Sequence, residues 1–160
     1  METLERILAS HPFFAGLGES YLPLLVGCAS NVRFHEGERI FHAGGEANRF
    51  YLIREGKVAL DVCGPGREPI TVQTVKEGEV LGWSWLVPPY RWHFDARVVE
   101  PVRAFAMDGK CLRAKCEEDH DLGYAMMKQV AQITTQRLQA TRRQMLDIHE
   151  AWCLLVEGRS

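Results

Sequence analysis

Very little in this chain commits it to an obvious chemistry. No run of about 18 apolar residues exists that could cross a bilayer, and the opening METLERILASHPFF has neither the basic start nor the unbroken apolar stretch of a signal peptide. These absences predict a cytoplasmic protein with no membrane partner. Charge of one sign is also missing. Nineteen basic against 21 acidic residues leave a net charge of −2 with no block of like charge, so nothing advertises a nucleic-acid surface. The five cysteines, at 28, 63, 111, 116 and 153, are odd in number and include no Cys-x-x-Cys pair. That argues against a disulfide framework, a zinc ribbon or an iron–sulfur cluster and reads as reduced thiols that mostly fill core. Neither a nucleophile elbow nor a P-loop is present, and the expectation is no enzyme and no cofactor.

What is present divides the 160 residues into four stretches of one domain. Residues 1–30 carry two short helical patterns, Leu4, Ile7 and Leu8, then Tyr21, Leu22, Leu24 and Leu25, separated by a His-Pro-Phe-Phe break. Residues 31–108 change texture to short apolar-alternating runs, FYLI, KVALDV, PITVQTV, ARVV and VRAFAM, punctuated by Glu-Gly, Gly-Gly, Gly-Pro-Gly and Pro-Pro. Strands at such spacing predict a mainly β fold, a sandwich or small barrel with flanking helices. Residues 109–121 hold a short helix and a connection. From 122 to 156 glycine and proline almost vanish, and a single long helix is predicted.

That helix carries the most regular pattern in the sequence. Tyr124, Met127, Ala131, Thr134, Leu138, Thr141, Met145, Ile148, Trp152 and Leu155 alternate steps of three and four. This is a coiled-coil seam, and it predicts a homodimer interface through Met127, Ala131, Thr134, Leu138, Thr141, Met145, Ile148 and Trp152. The alternative is a helix that merely packs along its own barrel. The apolar end from Trp152 to Val156 could also dock a protein partner.

Three of the four tryptophans fall within GEVLGWSWLVPPYRWHFDARV, residues 78 to 98. Together with FHEGERIFHAGGEANRFYLIREGKVALDV, ARVVEP and the long final helix, this stretch is similar to the cyclic-nucleotide-binding domain of the catabolite-activator and fumarate–nitrate regulators. The resemblance runs from about Leu4 to Ile148 and implies a double-stranded β-helix jelly-roll barrel, with Gly37-Glu38, Gly44, Gly56, Gly78-Glu79 and Gly82 at its turns. It also implies a ligand cassette at Gly78, Glu79, Gly82, Trp83, Ser84, Trp85, Arg91, His93, Phe94, Asp95 and Ala96, with Thr141 and Arg142 facing a ligand from the long helix. The family's helix-turn-helix has no room before Ser160, so no DNA binding is expected.

The departures from the family pattern predict a degenerate phosphate site. By the resemblance, Trp83 stands where the ribose-binding glutamate belongs, Phe94 where the phosphate-binding arginine belongs, and Asp95 at the following serine; only Ala96 survives. A carboxylate about 4 Å from a phosphate oxygen would repel it by about 4 kcal/mol at an effective dielectric of 20. Cyclic AMP is therefore not the expected ligand. The aromatics either plug the old pocket with core or wall a new one whose polar handles are Asp95, His93, Ser84 and Arg91, suited to a flat or cationic molecule. The sequence leaves open a cyclic-nucleotide binder rescued by Arg91 or Arg97 and a ligand-free dimeric interaction module. A metal site at His35, Glu36, Glu38 and His42 lacks the usual His-x-His and is not expected; a haem sensor, a further alternative, would announce itself as colour. The first expectation is a sensor or regulatory module.

Overall fold

The computed structural model describes residues 4–15 and 17–158. Short helices α1 (Leu4–Ser10), α2 (Pro12–Ala15) and α3 (Leu22–Gly27) come first, with a 3-10 turn at Glu19–Tyr21. Six strands follow: β1 (Ala29–Phe34), β2 (Arg39–Phe41), β3 (Arg49–Val62), β4 (Ile70–Lys76), β5 (Val80–Leu81) and β6 (Asp95–Asp108). Helix α4 (Gly109–Glu118) and the 38-residue helix α5 (His120–Glu157) complete the chain. The result is mainly antiparallel β with flanking helices. Among the described residues no helix is long and apolar enough to cross a membrane.

The sequence reads FYLI and KVALDV, and likewise ARVV and VRAFAM, as separate runs, yet each pair is one 14-residue strand. Strands β3 and β6 pair antiparallel along their length, and their register shifts between Ile53 and Val58. Gly56 sits in that shift at φ 94°, and a Cβ there would collide with the carbonyl of Pro101. Only glycine lets the two backbones approach so closely. Pro101, which has no N–H to give, lies at the matching break in β6, within three successive register shifts that bend both strands without breaking them.

Each long strand then receives two short ones. Along β6, β1 pairs at residues 102–107 and β2 at 96–97; along β3, β4 pairs at 57–62 and β5 at 51–52. The same turn joins each short pair. At the first, Gly37 has φ 87°, and the Glu38 carboxylate accepts from the His35 amide at 3.1 Å. At the second, Gly78 has φ 82°, and the Glu79 carboxylate accepts from the Lys76 amide at 3.4 Å. Both turns are tied to the long strands through reciprocal backbone hydrogen bonds, Gly37 and Glu38 with Val98, Gly78 and Glu79 with Ile53.

Two hydrophobic layers result. The barrel interior gathers Phe41, Tyr51, Ile53, Val58, Leu60, Val75, Leu81, Trp92, Ala96, Val98, Val102 and Ala104. On the opposite face of β3, Phe50 meets Phe13 of α2 with ring centroids 5.8 Å apart and stacks on Trp85 at 4.7 Å. The Phe50–Ile53 run is therefore buried throughout rather than alternately, because both of its faces are covered.

Compactness divides the chain into two units, Met1–Gln129 and Val130–Ser160. In the first, Leu122 and Met126 of α5 are fully buried, and Gly123 lies so close to α4 that a Cβ would come within 2.9 Å of the Cys116 carbonyl oxygen. In the second, the seam side chains Leu138, Met145, Ile148 and Trp152 are 51–70 % exposed. The cysteines correct one expectation. Only Cys116 is buried; Cys28, Cys111 and Cys153 are half-buried and Cys63 is exposed.

Candidate functional site

The loop between β5 and β6 is built on Gly82. Its φ of 93° turns the chain out of the barrel, and a Cβ on it would meet the indole of Trp92 at 2.6 Å. Trp92 lies flat on Phe41, centroids 3.8 Å apart and planes 9° apart, and is 7 % exposed. Phe94 packs against the same cluster, and Ala96 is buried within it. Of the cassette positions, Ala96 thus belongs to the barrel core and Phe94 packs against it, beside Trp92.

Trp85 goes the other way. It is 1 % exposed, stacked on Phe50 outside the barrel, and so close to the start of α4 that a Cβ on Gly109 would lie 2.8 Å from its own Cβ. Ser84 is buried beside it. Trp83 is half-buried at the surface and stacks on the exposed His93 with centroids 5.6 Å apart. The aromatics therefore part three ways, into the barrel, onto α4 and along the rim. Asp95, His93, Ser84 and Arg91 do not converge on one another.

Asp95 is fully engaged. One carboxylate oxygen accepts from Arg39 Nη1 at 3.1 Å, and the other accepts from the Ala43 amide at 2.8 Å with His42 Nδ1 4.0 Å away. Asp95 thereby clamps the turn after β2 to the start of β6. The two arginines considered as alternative phosphate ligands are engaged as well. Arg91 Nη1 donates to the Gly44 carbonyl at 3.3 Å, and Arg97 Nε donates to the buried Asp61 at 2.9 Å. Burial pushes the Asp61 carboxyl up, but hydrogen bonds from Thr71 and Arg97 and the positive charges of Arg97 and Arg39 outweigh it and hold the group below the usual range.

Sequence reasoning overlooked the residue that ties this loop to the helices. Arg113 of α4 donates to the Trp85 carbonyl at 2.6 Å, and its guanidinium lies 4.0 Å from the centre of the Tyr90 ring. Tyr90 itself takes a positive φ of 58°, and its carbonyl accepts from the Ala47 amide at 2.8 Å. An arginine in a helix C-terminal to the barrel gives no local signal of such a role.

On α5, the Thr141 hydroxyl donates to the carbonyl of Arg137 at 2.9 Å, as Thr134 does to Val130 at 2.8 Å. The donor expected to face a ligand is spent within its own helix. Arg142 is exposed. Among the described residues no three His, Cys, Asp or Glu side chains gather where a metal ion could be held. The Glu38 carboxylate is engaged by the His35 backbone amide in the first Gly-Glu turn.

Comparison with known proteins places this geometry. The sequence profile of the cyclic nucleotide-binding domain matches residues 31–119, more than half of the chain. A Geobacter metallireducens GS-15 protein, whose crystal structure is described as that of a candidate cyclic nucleotide-binding protein, is 30 % identical with a TM-score of 0.78; the match covers 86 % of this chain and 99 % of that one. The CRP-like cAMP-activated global transcriptional regulator of Mycobacterium tuberculosis is 25 % identical over 146 residues, 91 % of this chain and 63 % of its own length. The regulatory subunit of a cAMP-independent protein kinase A from Trypanosoma cruzi, bound to guanosine, is 26 % identical with a TM-score of 0.60, covering 76 % of this chain and 47 % of that one. The chain thus spans less than two thirds of the length of the curated relatives it matches.

Proposed function

The chain belongs to the cyclic nucleotide-binding domain family, and from that premise we propose that it is a cytoplasmic, non-enzymatic regulatory module whose cassette does not hold a cyclic phosphate. One observation carries the reading. The position that the resemblance assigns to the phosphate-gripping arginine is Phe94, packed on the core, and the neighbouring Asp95 carboxylate is already spent on Arg39 and the Ala43 amide. A phosphate entering there would find no uncommitted cation to offset its desolvation, since Arg39 is already paired with Asp95. The guanosine-bound T. cruzi relative supports an uncharged, flat ligand, since a nucleoside needs no phosphate grip. The half-buried Trp83 and its partner His93 provide a ring surface for stacking at the rim of the loop.

The module would signal through its helices. Arg113 and Gly109 couple the loop to α4 at Trp85, and the exposed seam of α5 offers a homodimer interface. A ligand that prefers one loop arrangement would bias the paired helices by its difference in affinity for the two states. That seam also sustains a second reading, in which the barrel is ligand-free and the helix recruits a protein partner.

Tryptophan fluorescence and thermal shift of the purified chain against cyclic AMP, cyclic GMP and guanosine test the proposal. Saturable binding of guanosine with no response to either cyclic nucleotide is the expected result. A saturable response to cyclic AMP overturns it. Silence to all three transfers the function to the helix and its partner.

A further inference from the structure

Away from the cassette, three arginines share one groove. Arg33 of β1, Arg103 of β6 and Arg54 of β3 line a cavity of about 320 Å³, with Asn31 at its edge, Val32 and Ala104 beneath, and Ile7 of α1 along one side. Arg33 and Arg103 are direct cross-strand partners, and Glu55 is the partner of Arg103 on the other side. Arg54 falls where the register slips between Ile53 and Glu55, so it is the extra residue of a bulge, a device that re-aims a side chain. Its Nη1 reaches Asn31 Oδ1 at 3.4 Å, and its guanidinium lies 4.9 Å from the centre of the Phe105 ring.

The charges in this groove are not balanced. Arg103 approaches Glu55 at 3.4 Å, but both side chains are well exposed, so water screens the pair and its hold is weak. Among the described residues no carboxylate lies within ion-pairing distance of Arg33 or Arg54. Like charges placed directly opposite on neighbouring strands destabilise a sheet. A chain of net charge −2 nevertheless gathers three guanidinium groups against one carboxylate on this face.

We propose that this groove binds a small phosphate-bearing polyanion, a phosphomonoester or pyrophosphate group held by Arg33 and Arg103, with Arg54 and Asn31 completing its shell. The planar forks of arginine match phosphate oxygens two at a time, and a dianion relieves the repulsion between the cross-strand pair. The cavity has the volume of about ten water molecules, enough for a phosphate group and a small apolar body resting on Val32, Ala104 and Ile7. A nucleic-acid backbone would need basic surface well beyond the groove, and the balanced charge of the chain offers none. The groove shares no residue with the cassette loop, so the site stands or falls independently of the ligand read there.

Isothermal titration of the full chain with inorganic pyrophosphate tests the assignment, with sulfate as the control anion. The expected result is saturable binding, tighter than that of sulfate and weakened by added salt. Arg33→Gln should weaken it about tenfold, and Glu55→Gln should tighten it by releasing Arg103. Both side chains are exposed, so neither change threatens the fold. Absence of saturable binding overturns the proposal, as does binding no tighter than that of sulfate. Binding that ignores both substitutions also overturns it, by placing the anion elsewhere.

Discussion

Two buried polar side chains make the stability of this protein depend on pH. The His11 Nδ1 accepts from the Phe13 amide at 3.2 Å, while its Nε2 is buried. Burial pushes the imidazole pKa below 6.5, with a smaller opposing contribution from the Ile53 backbone. The unfolded chain therefore binds this proton more readily than the folded one. The stability His11 contributes is complete above pH 6.5 and is lost as pH falls toward the lowered folded value. Asp61 acts in the same sense at lower pH, because its depressed carboxyl stabilises the fold above pH 3.8 and loses that contribution as pH falls through its folded value. Thermal unfolding across this range should show a first decline below pH 6.5, absent in His11→Gln, and a second, more acidic one that remains. A His11→Gln protein whose melting temperature follows the wild-type profile would refute the assignment. The Gly-Glu pairs were legible as turns at this scale, because positive φ is a property of a single residue. The partners of Asp95 were not, since Arg39 is 56 residues away in the chain.

Among the elements, the bend shared by β3 and β6 makes the barrel possible, and it concentrates its strictest requirement at Gly56. Gly56→Ala would combine a left-handed φ with a clash against the Pro101 carbonyl, and should cost about 3 kcal/mol. Gly37 has nearly the same φ but open space around it, so Gly37→Ala should cost only about 1 kcal/mol. Urea unfolding of the two variants measures the difference, and equal losses would show that the close approach of the strands is unimportant. The short runs of alternating apolar residues were readable as strands. Their union into two long strands was not, because a glycine and a proline look like ends until each is seen opposite the other.

For the molecule as a whole, the exposed seam of α5 is the interface proposed for a homodimer. Leu138 and Met145 are 51 % and 66 % exposed, so neither supports the fold of a single chain. Replacing both with glutamate should give a folded monomer by light scattering, with an unchanged melting profile at high dilution. A variant that remains dimeric would rule out the seam as the interface. The 3-4 periodicity announced this seam, but it did not announce the second face of the same helix, where Leu122 and Met126 are buried. Their spacing of four fits either role, and burial alone separates them.

Taken alone, the sequence determined what depends on neighbours in the chain: the turn glycines, the strand texture and the long helix with its apolar 3-4 pattern. Tertiary structure decided what depends on residues brought together from a distance. Trp85 and Trp92 are identical side chains in one loop, yet one stacks on Phe50 beneath α4 and the other on Phe41 inside the barrel. Arg33, Arg54 and Arg103 are unremarkable one by one and become a charged groove only through the pairing of three strands and one bulge. The physical reason is common to both. Local pattern limits backbone conformation, whereas register and packing choose each side chain's neighbours, and those neighbours set its chemistry.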